Sequence, residues 1–147
     1  MQEEEARLLA ALPKWGEPCI DWVQDRPNAV TNEFGVTDAE GRAIKSVQVE
    51  FSVFVSPRLG FEKFDFTLWR VERGLRERAY QLTINRRAGL TRQDHQYSHE
   101  HYGQNVRVNA SGEWAQAPFD YAVQIFCEKT SLTLMLELPS YQEFRLK

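Results

Sequence analysis

The sequence predicts a single α+β domain: a twisted antiparallel sheet of five or six strands, an N-terminal helix and a second helix near 119–129. Three observations predict it. The first residues carry apolar positions at helical spacing. A long central stretch alternates apolar and polar residues, with links too short for crossover helices. The chain has 147 residues, 42% hydrophobic and 27% charged, which suits one globular domain with a substantial core.

Residues 2–12 read as a helix. Ala6, Leu8, Leu9 and Leu12 give one apolar face, and Glu3, Glu4 and Glu5 complement the positive end of the helix dipole. Pro13 stops it. Residues 19–23 and 30–36 read as short strands, and Thr37-Asp38-Ala39-Glu40-Gly41 is turn chemistry. The clearest strand is 44–55, where Val47, Val49, Phe51, Val53 and Val55 alternate with Gln48, Glu50, Ser52 and Phe54. The first set should pack against the N-terminal helix or a second apolar layer. Pro57 ends this strand.

In residues 64–71, Phe64, Phe66 and Leu68 form one face and Thr67, Trp69 and Val71 the other. Two fairly apolar faces mark a central strand. A turn at Arg73-Gly74 leads to 79–85, with Tyr80, Leu82 and Ile84 in phase. Residues 105–109 resume a strand. The stretch 119–129 fits both periods: Phe119, Ala122, Val123, Phe126 and Cys127 at helical spacing, Phe119, Tyr121, Val123, Ile125 and Cys127 at strand spacing. Pro118 and Asp120 suit a helix start and Lys129 its end, so a helix is expected. Residues 131–138 are then the last strand, closed by Pro139.

The bulk numbers exclude some function classes. A net charge of −3 argues against sequence-independent nucleic-acid binding by bulk attraction. No apolar run approaches the roughly 20 residues of a membrane helix. The start, Met1-Gln2-Glu3-Glu4-Glu5, is acidic where a secretion signal is basic. A cytoplasmic protein with no membrane partner is expected. Cys19 and Cys127 read as free, part-buried thiols, and Trp15, Trp22, Trp69 and Trp114 as core. Arg70, Arg73, Arg76 and Arg78 around Gly74 could form an anion patch, but such a charge run is more often a solvated hairpin end and is read so. No phosphate-cradling loop or nucleophile motif is present in the sequence.

The chemistry concentrates in one segment. All three histidines, His95, His99 and His101, lie in Asp94-His95-Gln96-Tyr97-Ser98-His99-Glu100-His101-Tyr102-Gly103. On a strand, His99 and His101 project from the same face and can reach one ligand. With His95 as a third ligand, and Glu100, Asp94 or a distant carboxylate as a fourth, the set resembles a catalytic zinc arrangement. Without a metal, one histidine takes a proton while another donates one, as in phosphodiester cleavage. Arg86, Arg87 and Arg92 upstream, with Arg107 downstream, would hold phosphate, and Tyr97 and Tyr102 would stack on bases. The alternative is a solvated connection whose histidines pair with Asp94, Glu100 or Glu113.

In outline the chain resembles small uncharacterised bacterial domains. These open with a Glu-Ala-x-x-Leu-like helix ending near a lysine and run through an antiparallel sheet to a His-x-His segment. The counterparts here are Glu5-Ala6-Arg7-Leu8-Leu9 to Lys14, His99-Glu100-His101, and Phe126-Cys127 before the last strand. The resemblance implies a link to toxin–antitoxin or phage-defence genes, whose products include proteins regarded as ribonucleases. The expected function is therefore a small intracellular bacterial protein of toxin, defence or mobile-element type. Its activity would be cleavage of RNA or nucleotide phosphodiesters at His95, His99 and His101, with Arg86, Arg87 and Arg92 on phosphate. The alternative is a non-enzymatic immunity, antitoxin or inhibitor module whose acidic surface takes a protein partner. A metal-dependent hydrolase, with zinc on the histidines, is third.

Overall fold

The computed structural model describes residues 1–56, 58, 61–87, 98–108 and 114–143. In chain order these form α1 (Glu3–Ala11), β1 (Lys14–Gly16), β2 (Val23–Arg26), β3 (Ala29–Thr37), β4 (Ala43–Ser56), β5 (Phe61–Glu72), β6 (Leu75–Arg87), β7 (His99–Tyr102), β8 (Asn105–Val108), α2 (Phe119–Thr130) and β9 (Leu132–Leu134), then a 3₁₀ turn at Tyr141–Glu143. All strands join one sheet, in the order β8-β7-β6-β5-β4-β3-β1-β9, with β2 pairing β3 beside that path. The result is one domain of mixed α and β structure. No helix of the described residues is long and apolar enough to cross a membrane.

The alternating stretch forms the long strands β4, β5 and β6, and β5 is central as its two apolar faces require. Local turn chemistry sets their register. Arg73 and Gly74 both take left-handed backbone (φ 52 and 76) in the two-residue link between β5 and β6, which matches the strand twist. Asp38 closes the β3–β4 turn by accepting the Glu40 and Arg42 amides at 2.9 Å each.

Both helices cover one face. Val47, Val49, Phe51 and Val53 are buried there, and Val55 is half-buried. Phe51 meets Phe126 of α2 edge-on at 5.3 Å and Phe66 at 4.8 Å. Phe119, Tyr141 and Trp22 extend this aromatic layer, and the Trp22 indole donates to the Pro139 carbonyl at 2.8 Å. Lys14 anchors the layer. It is fully buried, and its ammonium donates to the Ala10 and Leu12 carbonyls at the end of α1 and to the Thr130 carbonyl at the end of α2. Burial pushes its pKa down to about 8.

Several expectations need correction. Among the described residues the sheet has nine strands rather than five or six, because β1, β2 and β7 are too short to show a period. It is not wholly antiparallel: β1 and β9 pair in parallel. Residues 19–22 are not a strand. The buried Asn32 side chain replaces a ladder there, accepting the Cys19 amide and donating to the Cys19 carbonyl, both at 2.9 Å. The expected strand 131–138 shrinks to β9, which has only three-residue β1 to pair with, and Met135 and Leu136 are exposed. Cys19 is exposed rather than part-buried. Of the four tryptophans only Trp22 is core, since Trp15, Trp69 and Trp114 lie at the rim or on the uncovered face.

Two stability tests follow. Phe51→Ala should lower the unfolding free energy by about 3–5 kcal/mol in denaturant titration. Lys14→Met should cost about 2–5 kcal/mol at neutral pH, because buried carbonyls lose their donor. Lys14 carries a folded pKa of about 8 against 10.5 unfolded, so the unfolded chain binds the extra proton between those values. Wild-type stability relative to Lys14→Met should therefore rise with pH across that window and be flat below it.

Candidate functional site

Neither helix packs on the other face of the sheet, which is open among the described residues, and His99 and His101 stand on it. Strand alternation places them there: Glu100 and Tyr102 of the same strand point to the helix side and are buried. The two imidazoles lie edge to face with centroids 5.1 Å apart. Their cross-strand partners on β6 are Thr83 and Gln81, followed by Asp65 and Thr67 on β5, then Ser52 and Glu50 on β4. These side chains bond to one another across the strands. Thr83 donates to Asp65 at 2.6 Å, and the Gln81 amide donates to the Thr67 hydroxyl at 2.9 Å. Lys63 pairs with Asp65 at 3.4 Å.

A β-bulge brings in two arginines. Leu68 faces Tyr80 but Trp69 faces Arg78, so Ala79 is an extra residue in β6. The alternation reverses there, and Arg78 and Arg76 emerge on the open face. Arg78 donates to Gln81 at 3.0 Å and to the Gly103 carbonyl at 3.2 Å. Arg76 bridges Glu33 (2.8 Å) and Glu50 (3.1 Å) while lying 4.3 Å from the Trp69 ring, whose indole also donates to Glu50.

His101 is held down to about 4, first by burial, then by the neighbouring Arg78 and His99, with Asp65 opposing. Its ring is therefore neutral at neutral pH. Its Nδ1 is buried with no hydrogen-bond partner among the described residues.

The expected site residues divide. His99 and His101 come together. His95 and Arg92 lie outside the described residues, as do Asp94, Tyr97, Glu113 and the side chain of Arg87. Arg86 is on the helix face, on the same side of β6 as Ile84, with its guanidinium 5.8 Å from the Phe64 ring and paired to Glu62 at 3.3 Å. Arg107 is on that face too, paired to Glu3 of α1 at 3.2 Å. Glu100, weighed as a metal ligand, instead accepts from Tyr80 at 2.7 Å and lies 3.8 Å from Lys129. Tyr102 is buried beneath the Arg7 guanidinium, 3.9 Å from its ring centroid. Among the described residues, no group of three or more His, Cys, Asp or Glu is placed to hold a metal.

Sequence reasoning did not single out Asp65, Gln81 and Thr83, and it read Arg78 as part of a solvated hairpin end, whereas Arg78 is half-buried and bonded to Gln81 and Gly103. One signal was available for Arg78: carried back from Tyr80, Leu82 and Ile84, the alternation would bury an arginine, which marks a phase break. Cavities of about 630 and 270 Å3 open elsewhere, the first between Arg86, Phe119 and Tyr141, while one of about 420 Å3 borders the site at Arg78 and Gly103. The chain matches no protein-family model, no curated protein and no solved structure.

The electrostatics can be read directly by NMR titration of the ring protons. Arg78→Ala should raise the His101 pKa from about 4 toward the ordinary 6.5, and Asp65→Asn should lower it further.

Proposed function

We propose that the chain is a non-enzymatic binding module of toxin, defence or mobile-element type. It would be an immunity, antitoxin or inhibitor protein acting in the cytoplasm, taking a protein partner on the open face of its sheet. One observation carries this reading: the sheet separates Arg86 and Arg107 from His99 and His101 and commits both arginines to carboxylates. The phosphate clamp that cleavage calls for is thus not assembled at the histidines from these residues. Two further points agree. Arg76 and Lys63 on the open face are already paired with carboxylates. The buried Nδ1 of His101 leaves that ring only its other nitrogen for a substrate. The surface left over is polar, with Glu33 exposed at its margin. With a net charge of −3 it favours a basic partner.

Cleavage of RNA or a nucleotide phosphodiester is the second reading. The 5.1 Å ring spacing and the adjacent Arg78 support it, with His99 and His101 moving protons and Arg78 contacting phosphate.

Incubating the purified chain with single-stranded RNA separates the two. On the binding reading, wild type and His99→Ala degrade it no faster than buffer. A wild-type activity that falls about 10²–10⁴-fold in His99→Ala or His101→Ala would establish the enzyme instead. The binding reading also requires that a partner cross-linked in cell extract be lost on Glu33→Lys/Glu50→Lys. The helix-side Glu4→Lys should retain it.

A further inference from the structure

We propose that the outer edge of β9 docks an extended segment of a partner protein, one that alternates apolar residues with lysine or arginine and adds to the sheet as a further strand. Three observations carry it. The first is an open ladder. β9 is an end strand, paired with β1 on one side and with no described strand on the other. The Lys14 amide donates to the Ser131 carbonyl at 3.0 Å, and the Met135 amide donates to the Gly16 carbonyl at 2.8 Å. In a parallel pair this turns the backbone groups of Ser131, Thr133 and Met135 toward β1 and those of Leu132 and Leu134 outward. An added strand would take the outward groups.

The second is a want of protection. Sheet edges are ordinarily blunted by charge or by cover. β2, which pairs only with β3, carries Asp25 and Arg26, and β8, at the opposite end of the sheet, carries Arg107. The run Leu132-Thr133-Leu134-Met135-Leu136 carries no charge, and Met135 and Leu136 are 59% and 50% exposed. Large apolar side chains beside unpaired strand backbone mark a place where another chain adds.

The third is the groove beside that run, which names the occupant. It lies between the start of α2 and residues 134–138, and its volume is about 270 Å3. Phe119, Val123, Leu134 and Leu138 give it apolar walls, and the two charged residues that line it, Asp120 and Glu137, are both carboxylates. An apolar side chain of the added strand fills the groove, and a neighbouring cation pairs with Asp120 or Glu137. Charge also weighs against a second copy of this chain, whose net charge is −3. The edge uses no residue of the open face, so it does not rest on the partner surface proposed above.

The test is a titration of the isotope-labelled full chain with two synthetic peptides, acetyl-Lys-Val-Lys-Leu-Lys-Val-amide and the same peptide with glutamate in place of each lysine. Amide shifts and hydrogen exchange are followed by NMR. We expect the lysine peptide to bind at sub-millimolar concentration, with the Leu132 and Leu134 amides shifting and gaining protection from exchange. The glutamate peptide should bind at least about tenfold more weakly. Leu134→Pro removes an outward amide that the ladder to β1 does not use, and should weaken the lysine peptide by about tenfold or more. Met135→Ser/Leu136→Ser alters exposed side chains only, so it keeps the fold, and should weaken it by about as much. Glu137→Lys should narrow the preference between the two peptides by about three- to tenfold. Glu33→Lys/Glu50→Lys on the open face should leave peptide binding unchanged, and a loss there would put the peptide on that face instead. The proposal is overturned by any of four other results: no amide shift at millimolar peptide, equal binding of both peptides, binding undiminished in Met135→Ser/Leu136→Ser, or a dimer in sedimentation that protects the same amides without peptide, which would make the occupant a second copy.

Discussion

The ammonium of Lys14 lies out of solvent between the C-terminal carbonyls of both helices. A helix ends with carbonyls that have no partner within it and with partial negative charge, so two such ends do not approach in a core unaided. Lys14 satisfies both. Its own amide donates to the Ser131 carbonyl at 3.0 Å, where Ser131 takes left-handed backbone (φ 55) at the end of α2. One residue therefore ends two helices, starts β1 and sets β1 beside β9. With both helix ends tied to one point, α1 and α2 occupy the same side of the sheet. The other side is left uncovered.

That asymmetry explains the two chemistries of the sheet. The covered face is a stack of Phe51, Phe64, Phe66 and Phe126, whose burial drives folding. The uncovered face meets water, yet Thr67 and Thr83 on it are nearly inaccessible beneath longer neighbours such as Gln81. They can be so because each is hydrogen-bonded, which removes the cost of burying a hydroxyl. The bulge at Ala79 then adds charge to this face. Ala79 is small and fully buried, so the extra residue fits without displacing the layer around Tyr80.

The long strands and α1 were legible because each repeats its period, whereas α2 fits both periods and was legible only through its end signals, Pro118, Asp120 and Lys129. Val47, Val49, Phe51 and Val53 need no tertiary knowledge to be assigned to one face. Three- and four-residue strands carry no such repeat, and β1, β7 and β9 owe their existence to partners distant in sequence. The candidate site was legible only in its local part. His99 and His101 were rightly placed together because they are two apart on a strand. Arg86 and Arg107 were wrongly joined to them because sequence proximity says nothing about side: Arg86 shares the phase of Ile84, which points to the core, and Arg107 pairs with Glu3 of α1. Arg78, the arginine that does reach His101, is far from it in sequence and shifted in phase by the bulge.

β7 shows how one short strand can serve both faces. Glu100 lies between the histidines in sequence and on the reverse side in space, accepting from Tyr80 and lying near Lys129 of α2. Lys129 also stands 5.9 Å from the Trp114 ring, so α2 reaches the strand through one cation and its two neighbours. A carboxylate that was buried without these partners would push β7 off the sheet, because an unpaired charge in the core costs several kcal/mol. Paired, it does the reverse and holds the backbone from which the imidazoles project. The precision of the histidine spacing is thus set on the helix side of the sheet by Tyr80 and Lys129, residues that touch neither ring.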